Sequence, residues 1–266
     1  LGLENRTANL EEWKAMHRHF RELTRTVQVA LVGKYGSVPD AYLSVTEALH
    51  HAGLAVDVRV VVNTVNSEEI TSDTVETLLR KFDAIVVPGG YGDRGTDGMV
   101  VAARYARENR IPFLAIGFGM QLAVVEAVRS LLGIADANTT EVEPQTKHPV
   151  VHIPEDRVCQ NDSRGATRMG SGPVRIIDGT LAGIYGTNLV DERHSNRYEV
   201  DQQYVQPLAE KGFQLVGISG DTGYPEAFEL RGHPFYVAVM YHPEYKSRPN
   251  RPHPLFSAFV HAAKHE

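Results

Sequence analysis

Three short segments of the chain carry residue types suited to acyl-transfer chemistry. Tyr241-His242-Pro243-Glu244 follows the apolar run Tyr236 to Met240 and sets an imidazole two residues ahead of a carboxylate. A histidine so placed can take and return a proton while the carboxylate orients it, the base half of a Cys-His-Glu arrangement. Ile116-Gly117-Phe118-Gly119-Met120-Gln121 turns sharply out of the run Phe113 to Ile116 and enters an apolar stretch of helical character. Such a strand-turn-helix elbow presents the residue at its apex, and the helix N-terminus lowers the pKa of a thiol there or stabilises a nearby oxyanion. The apex is Gly117, which has no side chain with which to attack. Pro88-Gly89-Gly90-Tyr91-Gly92 leaves backbone N–H groups bare enough to approach a ligand closely, an oxyanion-hole candidate. Taken singly, each segment has an ordinary counterpart, a glycine-rich turn or a surface histidine. All three together on one chain form a much narrower pattern.

Each of these loops follows a strand, where ligand sites of open α/β sheets form. The spacing of apolar residues predicts strands at Val27 to Val32, Val56 to Val62, Ala84 to Val87 and Phe113 to Ile116. Helices are predicted between them, from Tyr42 to His51 with Gly53 as the stop, Ser72 to Lys81, Gly98 to Glu108 and Met120 to Leu132. Strands that alternate with helices imply an α/β fold, a mostly parallel central sheet flanked by helices. After Asn138 the short apolar runs at 150–153, 174–177, 214–219 and 235–240 predict extra antiparallel strands and long loops. Residues 1–24 read as a linker helix, with Trp13, Met16 and Phe20 at helical spacing and Asn9 as its N-cap, docked on a domain spanning 25–266.

In the segments PGGYGDRG, FLAIGFGMQLAVVE and YHPE the chain resembles the class I, triad-type glutamine amidotransferases. VALVGKYGSVPDAYLSVTEALHHAG, ADANTTE, KHPVVHIPE, ERHSNRYEV and HPEYKSRP are similar to the C-terminal halves of the CTP synthase family, and the likeness runs nearly the whole length. The resemblance implies a bound glutamine whose side-chain amide lies between Gly117 and His242, with Glu244 orienting His242. It implies that backbone N–H groups of Gly90 and Phe118 form the oxyanion hole. Gln121, Glu141 and Arg197 match positions that hold the amino-acid head, Arg197 facing the carboxylate and Glu141 the ammonium, with Tyr91 and Tyr198 as walls. Arg94, Gly95 and Asp97 look like positions that bind a GTP activator, although RGATRMG departs from the usual GGTMRLG at Ala166. The partners implied are L-glutamine, GTP and an N-terminal synthetase domain absent from this sequence. No cofactor is implied here, ATP and Mg²⁺ belonging to the synthetase half, and GKYGS lacks the glycine spacing of a P-loop.

Composition is consistent with that reading. Over 266 residues, 42% hydrophobic and 23% charged residues describe an ordinary globular chain able to bury one large core. A net charge of −6 with no Lys/Arg run opposes nucleic-acid binding. No apolar stretch approaches the roughly 20 residues that span a bilayer, so no membrane partner is expected. The sequence starts without Met or a secretory signal and is read as a piece of something longer, an isolated domain expected to be monomeric. Cys159 is the only cysteine, which excludes an internal disulfide and fits a reducing cytoplasm; it is expected to be an inert loop thiol. His17/His19 and His50/His51 match no metal-ligand spacing, so no metal is expected.

Against the family's G-[IV]-C-x-G pattern the chain reads Ala115-Ile116-Gly117-Phe118-Gly119, and the second departure removes the nucleophile. Three readings follow: a chemically modified cysteine, a cysteine replaced to trap substrate, or a glutamine- or GTP-binding regulatory module without catalysis. His242, Glu244, Gln121, Glu141 and Arg197 are all present, which favours the first two, because a chain long free of catalysis would have lost some of them.

Overall fold

Buried β-branched runs lay down the sheet, and the helices between them cover its two faces. In this computed structural model, residues 8–36, 38, 40–155 and 167–264 are described. In chain order the elements are α1 (Glu11–Glu22), β1 (Thr26–Gly33), α2 (Leu43–Ala55), β2 (Arg59–Asn66), α3 (Val75–Leu79), β3 (Ala84–Val87), α4 (Thr96–Glu108), β4 (Phe113–Ile116) and α5 (Phe118–Leu131). There follow β5 (Ala137–Thr139), β6 (His148–His152), β7 (Arg168–Ile176), α6 (Gly179–Tyr185), β8 (Leu189–Asn196), β9 (Glu199–Val200), α7 (Val205–Glu210), β10 (Phe213–Ser219), β11 (Pro225–Leu230), β12 (Tyr236–Val239) and α8 (Pro254–Ala262).

Nine strands form one sheet in the order β2-β1-β3-β4-β12-β11-β10-β7-β8, and β5-β6-β9 form a small second sheet. The first five strands of the large sheet run parallel, and each pairing from β12 to β8 is antiparallel. The fold is therefore α/β, as expected, with the antiparallel strands extending the central sheet itself. Alternate residues of β3 point to opposite faces: Ile85 and Val87 join Met99, Ala102 and Val124 of α4 and α5, while Ala84 and Val86 join Leu49 of α2 and Phe256 of α8.

Several boundaries differ from the sequence reading, each for a local reason. Helix α2 runs past Gly53 to Ala55. Gly53 is a close-approach position and not a stop, since a Cβ there would lie 2.7 Å from the Val58 carbonyl oxygen. Strand β2 begins at Arg59 and the predicted helix 72–81 contracts to α3. The run 235–240, expected to be antiparallel, lies between the two halves of the sheet, parallel to β4 and antiparallel to β11. Helix α1 starts one position later than expected, with the Glu11 N–H donating to Asn9 Oδ1 at 3.1 Å. None of its residues is buried; it touches the domain through His19, bonded to the Leu54 carbonyl, and through Phe20 beneath the Arg59 guanidinium.

Helix α4 packs so tightly on the turn at Ser67 that a Cβ at Gly98 would come 1.8 Å from the Ser67 carbonyl oxygen. Backbone cannot retreat as a flexible side chain does, so Gly98→Ala is expected to destabilise the chain by about 3 kcal/mol. A lowered urea midpoint at unchanged m-value checks this.

Candidate active site

Strands β3, β4 and β12 are neighbours and run parallel, so the three loops singled out in the sequence all leave the sheet at the carboxyl ends of these strands. Gly117 holds φ 56° and ψ −116°, a conformation strained for any L-residue, and it directly precedes α5. Its N–H donates to the Val239 carbonyl at 2.8 Å, which ties the elbow to β12. Just beyond β12, the His242 N–H donates to the Arg193 carbonyl at 2.7 Å, fixing the imidazole's backbone on β8. A Cβ built on Gly117 would stand 3.0 Å from His242 Cε1 and 3.1 Å from Nε2. The elbow apex and the imidazole thus face one another at contact distance.

His242 Nδ1 lies 2.8 Å from Glu244 Oε1, and both side chains are nearly buried, Glu244 in a tight turn over Pro243–Lys246. A carboxylate acceptor at Nδ1 places the ring proton there and leaves the Nε2 lone pair facing the apex. Gly89 of the glycine-rich loop lies equally close, because a Cβ there would reach 3.0 Å from His242 Cε1. Phe118 opens α5, whose first intrahelical bond is Gln121 N–H to Gly117 O at 3.2 Å; its own N–H therefore precedes the helical ladder.

These loops border a cavity of about 690 Å³, whose lining includes Gly90, Tyr91, Phe118, Gln121, Glu141, Arg197, Tyr198, His242 and Glu244. Gln121 is buried on α5 with its Oε1 unpartnered among the described residues, and its Nε2 meets only Met240 Sδ at 3.9 Å. Glu141 accepts the Gly92 N–H at 2.7 Å. Burial pushes its carboxyl pKa up, opposed by that hydrogen bond and by the positive charges of Lys34 and Arg197. Arg197 Nε donates at 3.0 Å to Oγ1 of Thr167, another residue of the lining. Burial raises the Tyr198 hydroxyl pKa, and Glu141 raises it further. Tyr91 reaches over the opening, its hydroxyl 3.2 Å from Ser195 Oγ.

The structure does not bring every predicted residue to this cavity. Arg94, Gly95 and Asp97 lie outside the lining: Arg94 pairs with Glu68 at 2.7 Å on the surface and overlies the Tyr35 ring, Gly95 precedes α4 with φ 69°, and Asp97 is exposed in its first turn. Cys159 and Ala166 lie outside the described residues. Sequence reasoning missed Ser195, Met169 and Tyr245 of the lining, and Lys34 behind the glycine loop. For Lys34 a signal existed, since it follows β1 directly, where site residues of such sheets are expected. Among the described residues no helix is long and apolar enough to cross a membrane, and no group of three or more His, Cys, Asp or Glu could hold a metal ion.

Comparison with known proteins agrees with the geometry. The family model for glutamine amidotransferase class-I matches residues 37–262. CTP synthase of Geobacillus kaustophilus is 45% identical over 267 residues, covering 100% of this chain and 50% of that one. CTP synthase of Thermococcus kodakarensis is 46% identical over 266 residues, covering 99% and 50%. The chain thus spans about half the length of the curated relatives it matches. The glutaminase domain of Trypanosoma brucei CTPS, solved with bound acivicin, superposes with a TM-score of 0.81 at 37% identity, covering 89% of this chain and 93% of that one. A glutamine amidotransferase from Thermotoga maritima, at 11% identity and a TM-score of 0.52 over 89% of this chain and 96% of that one, shares the fold. With the family model covering most of the chain, identities of 45–46% running along its whole length and a superposition at a TM-score of 0.81, the chain belongs to the class-I glutamine amidotransferases, in the branch formed by the glutaminase domains of CTP synthases.

Proposed function

We propose that this chain is the glutamine-binding, ammonia-producing half of a cytoplasmic CTP synthase, with Gly117 standing where its nucleophile belongs. The observation that carries the reading is the 3.1 Å between a Cβ built on Gly117 and His242 Nε2, with Glu244 behind the ring. With a cysteine at 117, the thiol proton passes to His242 Nε2 as sulfur bonds the side-chain amide carbon of glutamine. Gly90 and Phe118 N–H groups then receive the oxyanion, each worth roughly 2.7–4 kcal/mol in sites of this kind. Collapse breaks the C–N bond, the imidazolium gives its proton to the departing ammonia, and water hydrolyses the thioester to glutamate.

Arg197 and Glu141 supply the fixed charges that a zwitterion requires, and Gln121 supplies a buried amide with an unpartnered oxygen. In this reading the ammonia serves a synthetase domain that converts UTP to CTP, where ATP and Mg²⁺ act, while GTP binds near Arg94, Gly95 and Asp97 as activator. The domain needs no cofactor of its own, and the isolated domain is a monomer. One observation favours a second reading: the glycine itself. A chain whose natural residue is Gly117 would bind glutamine or GTP and regulate its partner without chemistry. Calorimetric titration with glutamine, paired with an ammonia assay of Gly117→Cys, separates the two.

Glutamine affinity is expected to weaken as pH falls through the Glu141 pKa. The ammonium needs the carboxylate ionised, and burial places that pKa above the ordinary value of 4.5, so the loss begins at higher pH than for an exposed carboxylate. Glu141→Gln is expected to cut affinity by roughly 10- to 100-fold, the worth of a charge-assisted hydrogen bond, and to abolish that acid limb. Titrations across the acid range check both.

A further inference from the structure

Beneath the glycine loop lies a charged residue that no part of the catalytic scheme uses. Lys34 follows β1 directly and is 3% exposed, although lysine is rarely buried without a purpose. It does not line the cavity. Its ammonium donates to the Tyr91 carbonyl at 2.6 Å and to the Gly92 carbonyl at 2.7 Å, both on the loop that carries Gly90. Its stem passes close under that loop, Cε lying 3.3 Å from where a Gly90 Cβ would be, and Nζ is 4.9 Å from the Phe118 ring centroid. One lysine side chain therefore lies against both residues assigned to the oxyanion hole, its stem by Gly90 and its ammonium by the Phe118 ring.

The second half of the grip comes from the cavity wall. The Gly92 N–H, in the same peptide unit as the Tyr91 carbonyl, donates to Glu141 Oε1 at 2.7 Å. A planar trans peptide points its C=O and N–H in opposite directions, so a cation on the one and a carboxylate on the other fix its rotation. Free glycine-rich backbone has wide φ/ψ freedom, and a donor that wanders in the ground state must be ordered before it can hold an oxyanion.

We propose that Lys34 is a positioning residue for the oxyanion loop: by holding the 91 and 92 carbonyls from below, it aims the Gly90 N–H at the cavity and so governs the rate of amide cleavage while leaving glutamine binding largely unchanged. This rests on the glutaminase reading for its kinetic consequence but not for the grip itself. Burial lowers the Lys34 pKa, while Glu141 raises it, so the buried cation and the cavity carboxylate support one another's charged forms.

The test uses the full chain and two readouts. In the first, amide hydrogen exchange of residues 89–92 is measured in the Gly117 protein and in Lys34→Met and Lys34→Gln, the latter keeping a polar head in case the former fails to fold. Exchange of this loop is expected to rise at least tenfold in the folded variants with β1 and β4 amides unchanged; equal exchange overturns the proposal. In the second, the same substitutions in a Gly117→Cys background are expected to lower kcat for glutamine hydrolysis by at least tenfold with KM within threefold. An unchanged kcat, or a loss confined to KM, overturns it. If Gly117→Cys alone releases no ammonia, the glutaminase reading fails while the exchange experiment still decides the role of Lys34.

Discussion

Gly117→Cys is expected to turn the chain into a glutaminase, with ammonia release rising on the order of a million-fold, the scale on which nucleophile loss acts in triad enzymes. The expectation rests on how little else must change. The apex already holds the strained φ of 56°, the imidazole already lies at contact distance, and Glu244 already fixes the ring. A cysteine must endure that backbone, which glycine does freely, so the variant is also expected to lose about 1–3 kcal/mol of stability. Its Cβ would sit 3.0 Å from His242 Cε1, close enough that the ring must yield by a few tenths of an ångström. Steady-state ammonia assays and urea unfolding of the same preparation measure both effects. A folded cysteine form that binds glutamine yet releases no ammonia would sink the enzyme reading and leave the binding module.

The largest expected loss of stability lies behind the cavity wall. Glu226 of β11 is wholly buried, one carboxylate oxygen paired with Arg168 of β7 and the other 3.1 Å from His194 Nε2 of β8. Arg168 Nη2 also lies 3.0 Å from that same nitrogen. The three groups stitch β7, β8 and β11 together, and β8 leads into Arg197 and Tyr198 of the cavity. Glu226→Ala would leave a nearly buried guanidinium without its nearest counter-charge, at a cost of about 3–5 kcal/mol. Replacing Arg168 and Glu226 together by Met removes both charges and is expected to recover most of that loss. Urea unfolding of the single and double variants tests this, and equal destabilisation in both would show that the pair itself is not what matters. Glutamine affinity should fall in Glu226→Ala because the strand that leads to Arg197 loses its support.

The contrast between β8 and β4 shows what a sequence can disclose. Phe113-Leu114-Ala115-Ile116 is wholly apolar, so burial on both faces and a central place in the sheet follow from composition alone. Leu189–Asn196 carries Asp191, Glu192, Arg193 and His194 and gives no strand signal, yet Glu192, His194 and Asn196 are buried. Their polar groups are answered by partners elsewhere in the chain, among them His253 for Glu192 and Glu226 for His194. Local periodicity records side-chain polarity but holds no information about a partner tens of residues away, and so β8 is not legible in the sequence.

By itself the sequence determined the alternation of strands and helices, the parallel strands β1 to β4, and the three loops, one with Gly117 at its tip and another carrying His242 and Glu244. Those follow from near-neighbour chemistry, because apolar period, turn residues and helix starts act within a few positions of one another. Only the tertiary structure decided that β12 inserts beside β4, so that His242 meets Gly117, and that Lys34 rises beneath Tyr91 and Gly92. Strand order and cross-chain hydrogen bonds are set by how complementary surfaces pack once the whole chain is assembled, and that free energy is a property of pairs of elements which no single segment carries.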